Sequence, residues 1–137
     1  MKENDTDYFF QTLDAGLTAF TKKNYKRHVP RHPAIAGMEG LIKIQEALLY
    51  PHVITGYTQN VNGTQHEREC RAFYKIIKRR PIGGGKFLLD YWQIIVINNT
   101  LHKRWEVATA IYEESSPEYT MINSRIENIL HDYRDSK

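Results

Sequence analysis

Apolar positions are densest between Phe87 and Tyr112. Phe87–Ile97 reads FLLDYWQIIVI and Arg104–Tyr112 reads RWEVATAIY. Both runs are rich in β-branched and aromatic residues, which suit a pleated, half-buried surface. Between them, Asn98, Asn99 and Thr100 predict a tight turn, because Asn tolerates left-handed backbone angles. Alternation disappears from Ile94 to Ile97, which predicts a central strand covered on both faces. The rest of the chain is expected to close around this hairpin.

Upstream, Phe9, Phe10, Leu13, Leu17 and Phe20 recur at helical spacing and predict an amphipathic helix over Asp5–Asn24, capped by Asp5 or Thr6. Lys22, Lys23 and Lys26 fall at its C-terminal end, where the helix dipole favours cations. Pro30 and Pro33 forbid a continuous helix, so a second helix is expected from Pro33 to Leu49, burying Ile35, Met38, Leu41, Ile42, Leu48 and Leu49 and ended by Pro51. Val53–Gln59 predicts a strand, with Asn60–Thr64 as a turn. Glu67–Lys78 alternates, with Cys70, Ala72, Tyr74 and Ile76 on one face and Arg71, Phe73 and Lys75 on the other. Pro81–Gly85 predicts a loose loop. Ser116 and Pro117 predict the start of a C-terminal helix, with Tyr119, Ile122, Ile126, Ile129, Leu130 and Tyr133 as its apolar stripe. The fold class expected is therefore α+β: two N-terminal helices, a four-stranded antiparallel sheet and a C-terminal helix, in a single domain over residues 1–137.

Composition changes little in this picture. The 137 residues are 41% hydrophobic and 26% charged, and the net charge of +3 is too small for its total to point to nucleic acid. Nine tyrosines serve cores and polar-tipped surfaces equally well. Cys70 is the one cysteine, which excludes an internal disulfide and a cysteine metal cluster. The acidic N-terminus lacks a signal layout and no apolar run approaches a membrane span, so a cytoplasmic protein without a membrane partner is expected.

Candidate chemistry is metal-free. HExxH is absent, and Gly83-Gly84-Gly85-Lys86 lacks the spacing of a P-loop and leads into a strand. No cofactor is implied. Basic and hydroxyl residues remain: Arg27, His28, Arg31 and His32 at an interhelical corner, Arg68, Arg71 and Lys75 on or near one strand, and Thr109 and Tyr112 on another. Such a set suits a phosphodiester. Cleaving RNA without metal needs a base for the 2′-hydroxyl, an acid for the leaving oxygen and cations for the phosphoryl charge. Taken singly, each residue also fits a structural role: His32 as a helix cap, Thr109 as an ordinary strand residue, Tyr112 as core or rim, Arg71 and Lys75 as a solvated strand face.

Several strings, in order, resemble the phage-associated nuclease domains of the barnase–EndoU–colicin–RelE (BECR) fold group. They are Arg31-His32-Pro33 opening a helix, Leu41–Pro51 ending in proline, Phe73-Tyr74-Lys75, and Val107-Ala108-Thr109-Ala110 on the last strand. The likeness spans roughly Arg31 to Tyr112. It implies a metal-independent ribonuclease-like domain, phage-encoded or toxin-like, with His32, Arg71, Lys75 and Thr109 at the catalytic site; beside them Arg27, His28, Arg31 and Arg68, read from their residue types, are expected to bind substrate. Two positions depart from the pattern. Ala34 replaces an acidic residue after His-Pro, and Ile111 stands where an aromatic is usual, so that Tyr112 joins the site only if a β-bulge restores it. The alternative is a non-catalytic module that grips RNA or a host protein. The cations of Lys22–Arg31, Lys78–Lys86 and His102–Arg104 would then hold the strand, and Tyr57, Tyr74 and Trp92 would serve as stacking platforms. A cognate inhibitor is a further expected partner of a toxin-like enzyme. A purely structural domain is the third reading.

Overall fold

Four long strands, each antiparallel to the next, form the middle of the protein. They are β3 (Val53–Asn60), β4 (Glu67–Gly83), β5 (Lys86–Asn99) and β6 (Arg104–Pro117). The computed structural model describes residues 7–60, 67–122 and 128–134. Three short strands extend the sheet to seven, in the order β1-β2-β6-β5-β4-β3-β7. They are β1 (Tyr8–Gln11), β2 (Leu17–Phe20) and β7 (Ile129–Asp132). β2 runs parallel to β6, pairing Thr18 with Trp105 and Ala19 with Glu106, so the sheet is mixed. The helical elements are α1 (Lys22–His28), a 3-10 turn at Pro33–Ile35, α2 (Gly37–Leu49) and α3 (Glu118–Met121).

This overturns the four-stranded sheet with two N-terminal helices and a C-terminal helix. At the N-terminus, the Thr12 hydroxyl donates to the Gly16 carbonyl at 2.7 Å and accepts from the Ala15 amide at 2.8 Å. The chain therefore turns between Phe10 and Leu17 instead of coiling through them. The apolar spacing that imitates a helix belongs to two edge strands and their turn. α1 begins only at Thr21, whose side chain accepts from the Asn24 amide at 3.2 Å; the expected cap at Asp5 or Thr6 lies outside the described residues. The second helix is split: Ala36 is extended, and Met38 and Ile42 face outward while Gly40, Ile44, Ala47 and Leu48 are buried. At the C-terminus, β6 runs on through Ser116 and Pro117, and Ile129 and Leu130 lie in β7 on the edge of β3. Ile126 lies outside the described residues. The loose loop at Pro81–Gly85 is instead the end of β4 and a two-residue turn. Gly84 and Gly85 both have positive φ, as a type I′ hairpin turn requires.

Two cores share the sheet. On the first face Ile35, Ile44, Ala47 and Leu48 pack on Phe73, Trp92, Ile94, Val96 and Ala110. On the second, Ile122 of the α3 end packs with Val53, Tyr74, Leu89 and Tyr91. The period-2 alternation of β4 thus feeds two separate interiors. The second core is the smaller, and it leaves Ile95, Ile97, Thr109 and Ile111 only half-buried. The expectation that Ile94–Ile97 is covered on both faces therefore holds for Ile94 and Val96 alone. The part of the second face left open is where binding chemistry has room.

Candidate functional site

Strand register decides which candidate residues can meet. Thr55 pairs with Ala72, Ala72 with Ile95, and Ile95 with Thr109, forming one row across the second face. The next row runs Tyr57, Cys70, Ile97, Glu106. Arg71 pairs with Val96, and Lys75 with Trp92, which puts both on the first face. Tyr112 also faces that side: it pairs with Trp92, and the two rings lie 5.3 Å apart. The register is regular from Thr109 to Tyr112; the irregularities of β6 fall at Ala108, before Thr109, and between Glu113 and Ser116, after Tyr112. Neither is in a place to return Tyr112 to the side of Thr109.

Arg71 and Lys75 are engaged elsewhere. Arg71 Nε donates to Asp14 Oδ2 and Nη2 meets Glu69 Oε2, both at 2.8 Å, with the guanidinium 5.3 Å from the Trp105 ring centre. It pins the β1–β2 turn to the sheet. Lys75 Nζ donates to the Tyr50 carbonyl at 2.9 Å. Tyr50 is the C-cap of α2, where carbonyls lack helical partners and a cation is favourable. Lys75→Met is expected to cost about 1 kcal/mol in urea unfolding while leaving any RNA affinity unchanged. Lost RNA binding at unchanged stability would overturn this structural assignment. Of the expected stacking platforms, Tyr74 and Trp92 are buried, whereas Tyr57 is 37% exposed.

The outer edge of β6 gathers the rest. Beyond its short pairing with β2 this edge is met by α1, where Asn24 Nδ2 donates to the Val107 carbonyl at 2.9 Å. The contact lies beside the Ala108 irregularity. It opens a hollow of about 440 Å³ lined by Lys23, Asn24, Arg27, Arg68, Ile97 and Glu106. Arg27 and Arg68, distant in sequence, thus line one concavity. Lys23 and Arg27 are exposed and make no ion pair among the described residues. Arg68 gives Nε and Nη2 to the neutral Gln59 carboxamide at 3.1 and 2.9 Å, so its charge stays uncompensated. Among the described residues the one acid lining the hollow is already occupied: Glu106 accepts from Asn99 at 2.7 Å, Arg104 at 2.8 Å and His102 at 3.0 Å. Burial alone would raise the Glu106 pKa, but these hydrogen bonds outweigh it and hold the carboxyl below the usual range. The hollow therefore presents cations to an anion, and Thr109 supplies a hydroxyl on the same face.

His28 and His32 stand at the other end of α1. His28 packs edge-on against Phe20, and the two imidazoles stack with ring centres 6.1 Å apart. His28 Nδ1 lies 3.0 Å from the Asn24 carbonyl. A carbonyl can only accept, so Nδ1 is the donor in this contact. The corner is clamped by Tyr25, whose hydroxyl donates to the Ile35 carbonyl and accepts from the Gly37 amide, both at 2.8 Å. Burial, foremost, pushes the Tyr25 pKa up. Arg31, exposed, follows α1 on the chain.

Lys23, which complements the α1 dipole and belongs to the Lys22–Arg31 cations of the binding alternative, lines the same hollow as Arg68; nothing in its local pattern marks that proximity. Among the described residues no cluster of His, Cys, Asp and Glu is placed to hold a metal ion, and no helix is long and apolar enough to cross a membrane. Cys70 is buried, which raises its thiol pKa and leaves it protonated and unreactive. Comparison with protein-family models, curated proteins and solved structures finds no significant match.

Proposed function

We propose that this protein binds the phosphodiester backbone of single-stranded RNA along the second face of its sheet. The observation that carries this reading is the convergence of Lys23, Arg27 and Arg68, without carboxylate partners among the described residues, on one hollow where the one described acid, Glu106, is already satisfied. Arginine matches phosphate oxygens with a planar fork, and a single strand follows a cationic groove without needing a duplex shape. Fluorescence anisotropy with a labelled RNA, titrated across salt, tests it. The double variant Arg27→Ala/Arg68→Ala is expected to weaken binding on the order of tenfold and to flatten the salt slope by about 1.4, the value for two phosphate contacts on a single strand. Salt-insensitive binding, or a double variant that binds as the parent does, would sink the proposal.

A second reading adds cleavage, in line with the resemblance of Arg31–Tyr112 to BECR nuclease domains. The observation that favours it is His28, whose contact with the Asn24 carbonyl engages Nδ1 and not Nε2, and which is adjacent in sequence to Arg27. One of His28 and His32 would take the 2′-hydroxyl proton, the other would protonate the leaving 5′-oxygen as the P–O5′ bond breaks, and Arg27, Arg68 and Thr109 would hold the phosphoryl oxygens. Arg71, Lys75 and Tyr112 have no part in this version, since they face the other core. Incubation with total RNA in EDTA decides it: cutting by the parent that disappears in His28→Ala or His32→Ala supports catalysis, and intact RNA leaves binding alone.

A further inference from the structure

The second face holds another hollow, next to the first along β5. It measures about 430 Å³ and is lined by Thr55, Tyr57, Ala72, Gln93, Ile95 and Asn128. That volume falls in the range of small-ligand sites. Ile95 lines this hollow and Ile97 lines the cationic one. Two residues along a strand separate them by about 7 Å, within the reach of one nucleotide from phosphate to base.

The chemistry of the walls suits a flat, edge-polar ring. Ala72 and Ile95 make an apolar floor. Gln93 is a polar residue set between the apolar Trp92 and Ile94 of β5, and it is 9% exposed. Its Nε2 gives one hydrogen to the Tyr74 hydroxyl at 3.0 Å. This leaves a second N–H beside the carboxamide oxygen, a donor next to an acceptor, which is the pairing that nucleobase edges present. Thr55 is 1% exposed and its Oγ1 has no hydrogen-bond partner among the described residues. A buried hydroxyl left in that state costs stability, and a ligand atom would relieve it. Tyr57, at the rim, offers a ring for stacking.

We propose that this pocket receives one base of the bound strand and is the base-selective subsite of the protein. The proposal rests on the phosphodiester reading above, and the test separates the two. Four labelled oligoribonucleotides would be compared, each abasic except for one central A, C, G or U, together with a fifth lacking any base. The parent is expected to bind one of the four about tenfold more tightly than the wholly abasic strand. Tyr57→Ala and Gln93→Leu should each erase that gain while leaving abasic affinity and its salt slope intact. Arg27→Ala/Arg68→Ala should instead weaken all five strands together. Gln93→Glu presents only acceptors, so the preference should move towards guanine, whose Watson–Crick edge carries two adjacent donors. If Gln93→Leu fails to fold, Tyr57→Ala at the exposed rim decides the matter. Equal binding of all five strands by the parent, or a preference that survives Tyr57→Ala and Gln93→Leu, overturns the base subsite while the backbone reading stands. Failure of the parent to bind any strand in a salt-sensitive way overturns both.

Discussion

Gly40→Ala is expected to lower the free energy of unfolding by about 3 kcal/mol, the upper part of the usual range for overpacking. A Cβ at Gly40 would fall on the backbone carbon and oxygen of Ile35, where no side-chain rotation can give way. The approach is this close because the 3-10 turn folds back onto the first turns of α2, with Ile35 fully buried between them. Relieving the clash means moving that turn, and the turn is held by the Tyr25 hydroxyl through Ile35 and Gly37. Both the core and the corner that carries His28 and His32 should therefore loosen together. Urea unfolding followed by tryptophan fluorescence measures the loss, with Glu39→Ala on the exposed face of the same helix as the control. A Gly40→Ala midpoint equal to that of the control would show that the contact between turn and helix is not as tight as described.

The second large effect is expected at Glu118, whose side chain is 3% exposed beneath Arg79 and Arg134. Arg79 reaches it with two donors, Nε to Oε2 and Nη2 to Oε1, each at 2.9 Å, and Arg134 lies 3.7 Å away. Removing one partner of such a set strands the buried charge of the other, which costs about 3–5 kcal/mol. Arg79 keeps 29% of its side chain in solvent, so Glu118→Ala should fall near the lower end, about 3 kcal/mol. The companion test is the pair Glu118→Ala with Arg79→Met. If the stranded charge is the cause, the double variant should recover part of the loss. A double variant as unstable as the sum of the singles would assign the cost to lost packing instead. The network joins the end of β4 to the α3 turn and, through Arg134, to the segment after β7. It substitutes for the C-terminal helix that the apolar spacing predicts.

Legibility in the sequence followed how local each determinant was. β5 and the alternation of β4 are readable because β-branched and aromatic residues declare a pleated surface over many consecutive positions. The terminal segments are not, because Leu13, Leu17 and Phe20 fit a helical period about as well as they fit a hairpin with a turn at Thr12–Gly16. What settles that choice is β6, whose edge offers Thr18 and Ala19 a strand to join. The same holds for Ile129 and Leu130, which spell a helical stripe on paper and a strand against β3 in space. Site residues divide in the same way. Arg27 and Arg68 are recognisable by type as candidates for gripping a phosphate. Arg71 and Lys75 were indistinguishable from them until Asp14 and the Tyr50 carbonyl arrived from other parts of the chain.

By itself, then, the sequence determined the central antiparallel pair, the alternating face of β4, and the residue types available for gripping an anion. Tertiary structure decided how the ends fold, which face each cation points to, and that Lys23, Arg27 and Arg68 share a hollow while Thr109 and Tyr112 do not share a side. The physical reason is that alternation along a strand is a property of neighbours in the chain. Register across strands, and the carboxylates and carbonyls that consume a charge, depend on groups brought together only when the chain is folded.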